Sequence, residues 1–154
     1  MRILIAEDES VVRDVVRVML EIRGHEVFVA ANGRDALDIV ERHQEGFDLV
    51  LTDVIMPQMG GKELAAHLAS RFPATKILYM SGYNDDVLMC GVLETGTAFL
   101  EKPFTPDTLI LAVNDLLAEK SHWPLPDHPE EAGCVNPQSR PKTDSGQLHQ
   151  LPGK

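Results

Sequence analysis

The chain has 154 residues, 44% of them hydrophobic and 25% charged, with a formal net charge of −10, which bounds it to one domain with a sizeable core and an ordinary soluble composition. The imbalance lies within 1–119, where 20 acidic residues face 10 basic ones, whereas 120–154 holds four of each. So acidic a domain argues against nucleic acid and anionic membrane surfaces as partners, because no counterion release would favour its approach to a polyanion.

Five short apolar runs alternate with amphipathic stretches. In chain order they predict strand 2–6, helix 11–23, strand 26–30, helix 33–42, strand 49–53, helix 60–70, strand 76–81, helix 84–95, strand 98–101 and helix 106–119. The chain enters its first strand at once, with no basic segment before an apolar stretch, so neither a signal peptide nor a membrane span is expected. Val11, Val15, Val16, Met19, Leu20 and Ile22 supply an apolar stripe for the first helix, and Gly24 stops it. Asn32 is placed to cap the second helix. Thr105 and Pro106 read as the N-cap and first residue of the last. Several strands are apolar almost throughout, as in a parallel sheet covered by helices on both faces. The fold class is therefore α/β, a doubly wound five-stranded parallel sheet in a three-layer sandwich. Asp8 and Asp53 are 45 residues apart, room for a helix, a strand and a second helix. That spacing makes strands one and three neighbours and gives the flavodoxin-like order 2-1-3-4-5, whose ligand crevice opens between those two strands at their carboxyl ends.

Beyond 119 the composition changes. Six of the ten prolines lie in 120–154, and the apolar residues there are isolated. This stretch cannot offset its ordering entropy and reads as a disordered, proline-rich tail. The Trp123-Pro124-Leu125-Pro126 piece is the one part suited to docking on the domain or a partner. The division is thus a domain at 1–119 and a tail at 120–154. Cys90 and Cys134 form no disulfide framework and suit a reducing cytoplasm; Met89 and Cys90 read as helix packing.

The chemistry collects at the predicted strand ends. Glu7, Asp8 and Asp53 each follow or close an apolar run, Ser81 closes another, and Lys102 follows the last. Two bare carboxylates about 4 Å apart repel by roughly 4 kcal/mol at an effective dielectric of 20, so the group calls for a proton or a cation. Magnesium suits an all-oxygen site that keeps water and bridges to phosphate. No histidine stands at these strand ends, which argues against zinc. The glycine interval Gly91 to Gly96 lacks the Lys-Ser or Lys-Thr pair of a phosphate-binding loop.

The chain resembles the receiver domain of bacterial two-component response regulators. The match runs through Glu7-Asp8, Asp53 with Val54-Ile55-Met56-Pro57, Gly60-Gly61, Tyr79-Met80-Ser81-Gly82-Tyr83 and Phe99-Leu100-Glu101-Lys102-Pro103-Phe104, five motifs in order over 1–119. The resemblance implies that Asp53 accepts a phosphoryl group from a phosphohistidine. It implies that Asp8 and Asp53 ligate magnesium, or manganese in its place, with the Ile55 backbone carbonyl. Glu7 completes the acidic pair through water; many receivers carry aspartate there, and glutamate is longer. Lys102 pairs with phosphoryl oxygens, Pro103 follows a cis bond, and Ser81, next to Gly82, donates its hydroxyl to phosphate. Phe99 takes the position of the switch aromatic.

The implied partners are a sensor histidine kinase or phosphotransfer protein and an unidentified downstream protein, in the cytoplasm, with the chain a monomer or weak homodimer. The output face implied is that of helix 84–95, strand 98–101 and the last helix, made acidic by Asp85, Asp86, Glu94 and Asp107. No DNA-binding helix pair follows 119. The alternative reading is the receiver module of a hybrid histidine kinase that passes phosphate to a phosphotransfer domain. A magnesium-dependent aspartyl-phosphate phosphohydrolase is more remote, since its usual general acid two positions after the nucleophile is here Ile55, which moves no proton. A flavin site on this topology is disfavoured, because the carboxylates would repel the cofactor phosphate. The protein is thus expected to be a signalling receiver and not an enzyme.

Overall fold

The computed structural model describes residues 1–82 and 97–118. The described elements are β1 (Arg2–Ala6), α1 (Ser10–Ile22), β2 (Glu26–Ala30), α2 (Gly33–Arg42), β3 (Leu49–Asp53), α3 (Gly61–Arg71), β4 (Lys76–Ser81), β5 (Thr97–Glu101) and α4 (Pro106–Leu117). The helix expected at 84–95 and the tail expected at 120–154 lie outside the described residues. So do Tyr83, Asp85, Asp86, Glu94 and both cysteines.

The sheet is parallel throughout, in the order β2-β1-β3-β4-β5, as the spacing of Asp8 and Asp53 predicted. Strand side chains alternate between two cores. Leu4, Ala6, Val50, Ile77 and Tyr79 face α2 and α3, while Ile3, Ile5, Leu49, Leu51, Leu78 and Met80 face α1 and α4. Burial on both faces explains why β1, β3 and β4 carry no polar alternation; the edge strands β2 and β5 are only partly buried. Sheet and helices together form the expected three-layer sandwich.

The helix ends follow local chemistry. Gly24 after α1 has φ +83°, a left-handed stop natural to glycine. The Asn32 side chain accepts from the Asp35 N–H at 2.8 Å and caps α2. Thr105 accepts from the Thr108 N–H at 3.2 Å, and Pro106 opens α4.

One expectation needs correction. The inward face of α1 is Val12, Val16, Met19 and Leu20, with Val16 and Leu20 fully buried. Val11, Val15 and Ile22 are instead 67%, 45% and 76% exposed. Two apolar series share this helix. The residues at 12, 16, 19 and 20 close onto the sheet, which leaves 11, 15, 18 and 22 as a second stripe facing outward.

Candidate functional site

Strand order brings four carboxyl ends to one edge. Glu7 and Asp8 follow β1, Asp53 ends β3, Ser81 ends β4 and Lys102 follows β5. Pairing fixes their heights: Ala6 lies beside Thr52, Asp53 beside Met80 and Ser81 beside Glu101. The Lys102 N–H continues the ladder by donating to the Ser81 carbonyl at 2.7 Å.

Lys102 is the centre of the cluster. Its ammonium donates to Asp53 Oδ2 at 2.7 Å and to Glu7 Oε2 at 2.8 Å. The second oxygen of Asp53 accepts from the Ile55 N–H at 3.2 Å. The second oxygen of Glu7 accepts from the Glu9 N–H at 3.1 Å. Glu7 is fully buried, Asp53 nearly so, and Asp8 is exposed. Each of the three offers a carboxylate oxygen within 4.8 Å of the others. The Lys102–Pro103 bond is cis. Ser81 is buried at the strand end, Gly82 is half-buried beside it, and Pro103 is exposed at the rim.

Burial raises the pKa of Glu7 above the usual carboxylate range. The hydrogen bonds from Lys102 and the Glu9 N–H and the Lys102 charge oppose that rise, and the Asp53 charge adds to it. Burial alone would lower the pKa of Lys102, but the hydrogen bonds and charges of Asp53 and Glu7 outweigh it and the net direction is up. The ammonium is therefore held charged.

The cluster suits a divalent cation. Three carboxylates and one ammonium leave two formal negative charges, which such an ion cancels. The donors are all oxygen, which suits a hard cation such as magnesium.

The structure thus gathers Glu7, Asp8, Asp53 and Lys102 and sets Ile55 and Ser81 beside them along the same edge. Phe99 stands apart, stacked on Tyr79 with ring centroids 5.4 Å apart and planes at 19°, partly buried against the α2–α3 core. The direct Glu7–Lys102 bond was not anticipated, since Glu7 was considered only as a partner of magnesium through water. Three supports were also missed: the Glu9 N–H, the Arg13 guanidinium on the Glu7 carbonyl at 2.7 Å, and the Thr52 hydroxyl on the Asp53 carbonyl at 2.9 Å. Of these, only Arg13 carries a readable signal, as a base one turn into the helix after an acidic pair. Gly61 packs so close to β3 that a Cβ there would lie 2.2 Å from the Asp53 carbonyl oxygen.

A doubly wound sheet that holds an acidic triad and a lysine at its switch point is the arrangement expected of a receiver module. The profile of the response regulator receiver domain matches residues 3–114, and the chain belongs to that family. Phosphorylation and magnesium binding are general features of the family. The sensor kinase CckA of Brucella abortus is 34% identical over 119 residues, 77% of this chain but only 13% of that kinase. The solved receiver domain of the hybrid histidine kinase CckA is 38% identical with a TM-score of 0.67, covering 76% of this chain and 99% of that one. A response regulator receiver domain protein from Clostridium thermocellum is 28% identical with a TM-score of 0.71, covering 77% and 95%. Among the described residues, no helix is long and apolar enough to cross a membrane.

Proposed function

We propose that Asp53 is the phosphoacceptor of this receiver, within a unit spanning 1–119 to which 120–154 is a proline-rich appendage. The observation that carries the reading is the position of the Asp53 carboxylate at the carboxyl end of β3, bonded to Lys102 at 2.7 Å and grouped with Glu7 and Asp8. An Asp53 oxygen forms the bond to phosphorus while the phosphorus–nitrogen bond of a phosphohistidine breaks. The partner's imidazole leaves with the bonding pair. Phosphoryl transfer needs positioning and charge neutralisation more than covalent help. Lys102 offsets charge on the transferred oxygens, and the Ser81 hydroxyl donates to one of them. Asp8, Asp53, Glu7 and the Ile55 carbonyl would hold magnesium or manganese, which neutralises further charge on those oxygens when bound. Phe99 answers through its stacking partner Tyr79 as Ser81 is drawn toward phosphate. The aspartyl phosphate is a reactive mixed anhydride, so hydrolysis resets the signal. The protein promotes its own phosphorylation and dephosphorylation and acts on no separate substrate.

The phosphodonor is a sensor histidine kinase or phosphotransfer protein, and the output passes to a protein partner in the cytoplasm. The outward stripe of α1 supports a donor surface. It begins at Val11, three residues after Asp8, and continues through Val15, Val18 and Ile22, so an apolar helix carrying the donor imidazole finds cover beside the site. The 38% identity to a hybrid-kinase receiver favours a second reading, a module that hands its phosphoryl group to a phosphotransfer domain.

The test is incubation with an acyl phosphate and magnesium, followed by intact-mass measurement. The parent gains one phosphoryl group, and Asp53→Asn gains none while keeping its fold. An acid-labile phosphoprotein formed by Asp53→Asn overturns the assignment. Transfer from the labelled parent to a phosphotransfer domain separates the two readings of the output.

A further inference from the structure

We infer that Glu7 is a positioning residue: the Glu9 N–H at the N-cap of α1 fixes its carboxylate, Arg13 in the first turn fixes its carbonyl, and that carboxylate holds the Lys102 ammonium at the site independently of Asp53. The inference rests on the reading of Asp53 as phosphoacceptor. It assigns to the glutamate at this position a task that an aspartate would not perform.

Both oxygens of Glu7 are engaged, Oε2 by Lys102 at 2.8 Å and Oε1 by the Glu9 N–H at 3.1 Å. Its main chain is held on both sides. The Glu7 N–H donates to the Ala30 carbonyl at 3.1 Å, and the Glu7 carbonyl accepts from Arg13 at 2.7 Å. The carboxylate therefore projects from a fixed stem, and its side chain is fully buried. Lys102 is different: its flexible four-carbon stem carries about 2 kcal/mol of rotamer entropy, and the side chain is 23% exposed, so water competes for the ammonium. Its other anchor, Asp53, is the group whose charge and shape change when a phosphoryl group arrives. Of the two carboxylates that hold Lys102, Glu7 is the one that receives no phosphoryl group.

Side-chain length decides whether this second anchor exists. With the main chain at residue 7 pinned, an aspartate ends one methylene short and cannot serve both the Glu9 N–H and Lys102. Preorganising the ammonium removes part of the ordering cost that would otherwise fall on the phosphorylation step. It also links the start of α1 to the phosphoacceptor through a continuous chain of bonds: Arg13 and Glu9 to Glu7, Glu7 to Lys102, Lys102 to Asp53.

The experiment follows the Lys102 ammonium by side-chain 15N NMR on the full chain with a chelator present, so that metal ligation plays no part. Parent, Glu7→Asp, Glu7→Gln and Asp53→Asn are compared. The parent and Asp53→Asn show a slowly exchanging Lys102 resonance. In Glu7→Asp and Glu7→Gln its exchange with water rises at least tenfold or the resonance is lost, while the sheet amides keep their shifts. Unchanged exchange in both Glu7 variants overturns the inference, as does loss of the resonance in Asp53→Asn with Glu7 intact. Glu7→Gln keeps the length and volume of the side chain, so it carries the same readout should the shortened variant fail to fold. Failure of the phosphoacceptor reading shows separately, as phosphate incorporated by Asp53→Asn, whatever the resonance does.

Discussion

Gly61→Ala ties the packing of α3 directly to the phosphoacceptor. The new Cβ would stand 2.2 Å from the Asp53 carbonyl oxygen, 3.0 Å from Thr52 Oγ1 and 3.1 Å from Thr52 Cγ2. A carbon beside a carbonyl oxygen settles at about 3.3 Å or more, so α3 and the end of β3 must separate by about 1 Å. The obstacle is strand backbone, which cannot swing aside like a side chain. Overpacking of this kind costs about 1–3 kcal/mol, enough to lower the thermal midpoint by several degrees. A shift of about 1 Å in a reacting carboxylate can cost about 100-fold in rate. Gly24→Ala is the control. Gly24 has a left-handed φ of +83°, yet nothing lies within 4 Å of its Cβ position. Its substitution costs about 1 kcal/mol through backbone strain alone and leaves the site intact. Thermal unfolding and the initial rate of phosphorylation from an acyl phosphate are measured on both variants. The expected pattern is loss of stability in both, with loss of rate in Gly61→Ala alone. Parent-like phosphorylation in a folded Gly61→Ala protein would refute the claim that the α3 start sets the height of Asp53.

Lys102→Met removes the only cation bonded to the buried Glu7 carboxylate among the described residues and should cost about 3–5 kcal/mol at pH 7.5. Burial already raises the Glu7 pKa, so the loss shrinks as pH falls toward 5 and the carboxylate takes a proton; urea midpoints at both values in chelator read it, and an equal loss at the two would contradict it. His25 titrates the opposite way. Burial and then the N-terminal charge lower its pKa below 6.5, and its Nδ1 is buried without a hydrogen-bond partner among the described residues. The unfolded chain therefore binds a proton first as pH falls through 6.5, and stability declines from there to the folded value. His25→Gln should flatten the difference in urea midpoint between pH 7.5 and 5.5, and an unchanged difference would exonerate His25. On α1, Val16→Ala should cost about 2–3 kcal/mol from lost burial and cavity, whereas Val11→Ser should stay within about 0.5 kcal/mol; denaturant melts that reversed the order would overturn the assignment of the two faces.

Much of this was legible in the sequence, for identifiable physical reasons. The central strands β1, β3 and β4 read clearly because burial on both faces leaves them largely apolar, and the helix starts at Asn32 and Thr105 were visible because caps are local. Asp53, Asp8 and Lys102 could be placed because topology fixes strand ends and each follows its run directly. The first helix was misread because eight of its residues are apolar, and periodicity cannot tell which of two interleaved stripes a sheet will claim. Val11, Val15, Val16 and Ile22 all satisfy a helical period, but only Val16 of these reaches the core. The Glu7–Lys102 bond was hidden for another reason. It joins residues 95 apart, and whether a carboxylate meets water or an ammonium depends on a fraction of a side-chain length.

That fraction turns on the glutamate at position 7. Topology would bring an acid at position 7 to the crevice whatever its length, so the fold accounts for the charge and not for the extra methylene. The methylene matters only because the main chain around Glu7 is pinned by Ala30 and Arg13; on a loose loop the backbone would take up the difference. If pinning is the cause, loosening the stem should mimic shortening the side chain. Arg13→Ala leaves every member of the acidic cluster in place yet frees the Glu7 carbonyl. Lys102 ammonium exchange should then rise in metal-free Arg13→Ala, by less than in Glu7→Asp because the Ala30 bond remains. Exchange that matches the parent would mean that the carboxylate holds Lys102 without help from α1.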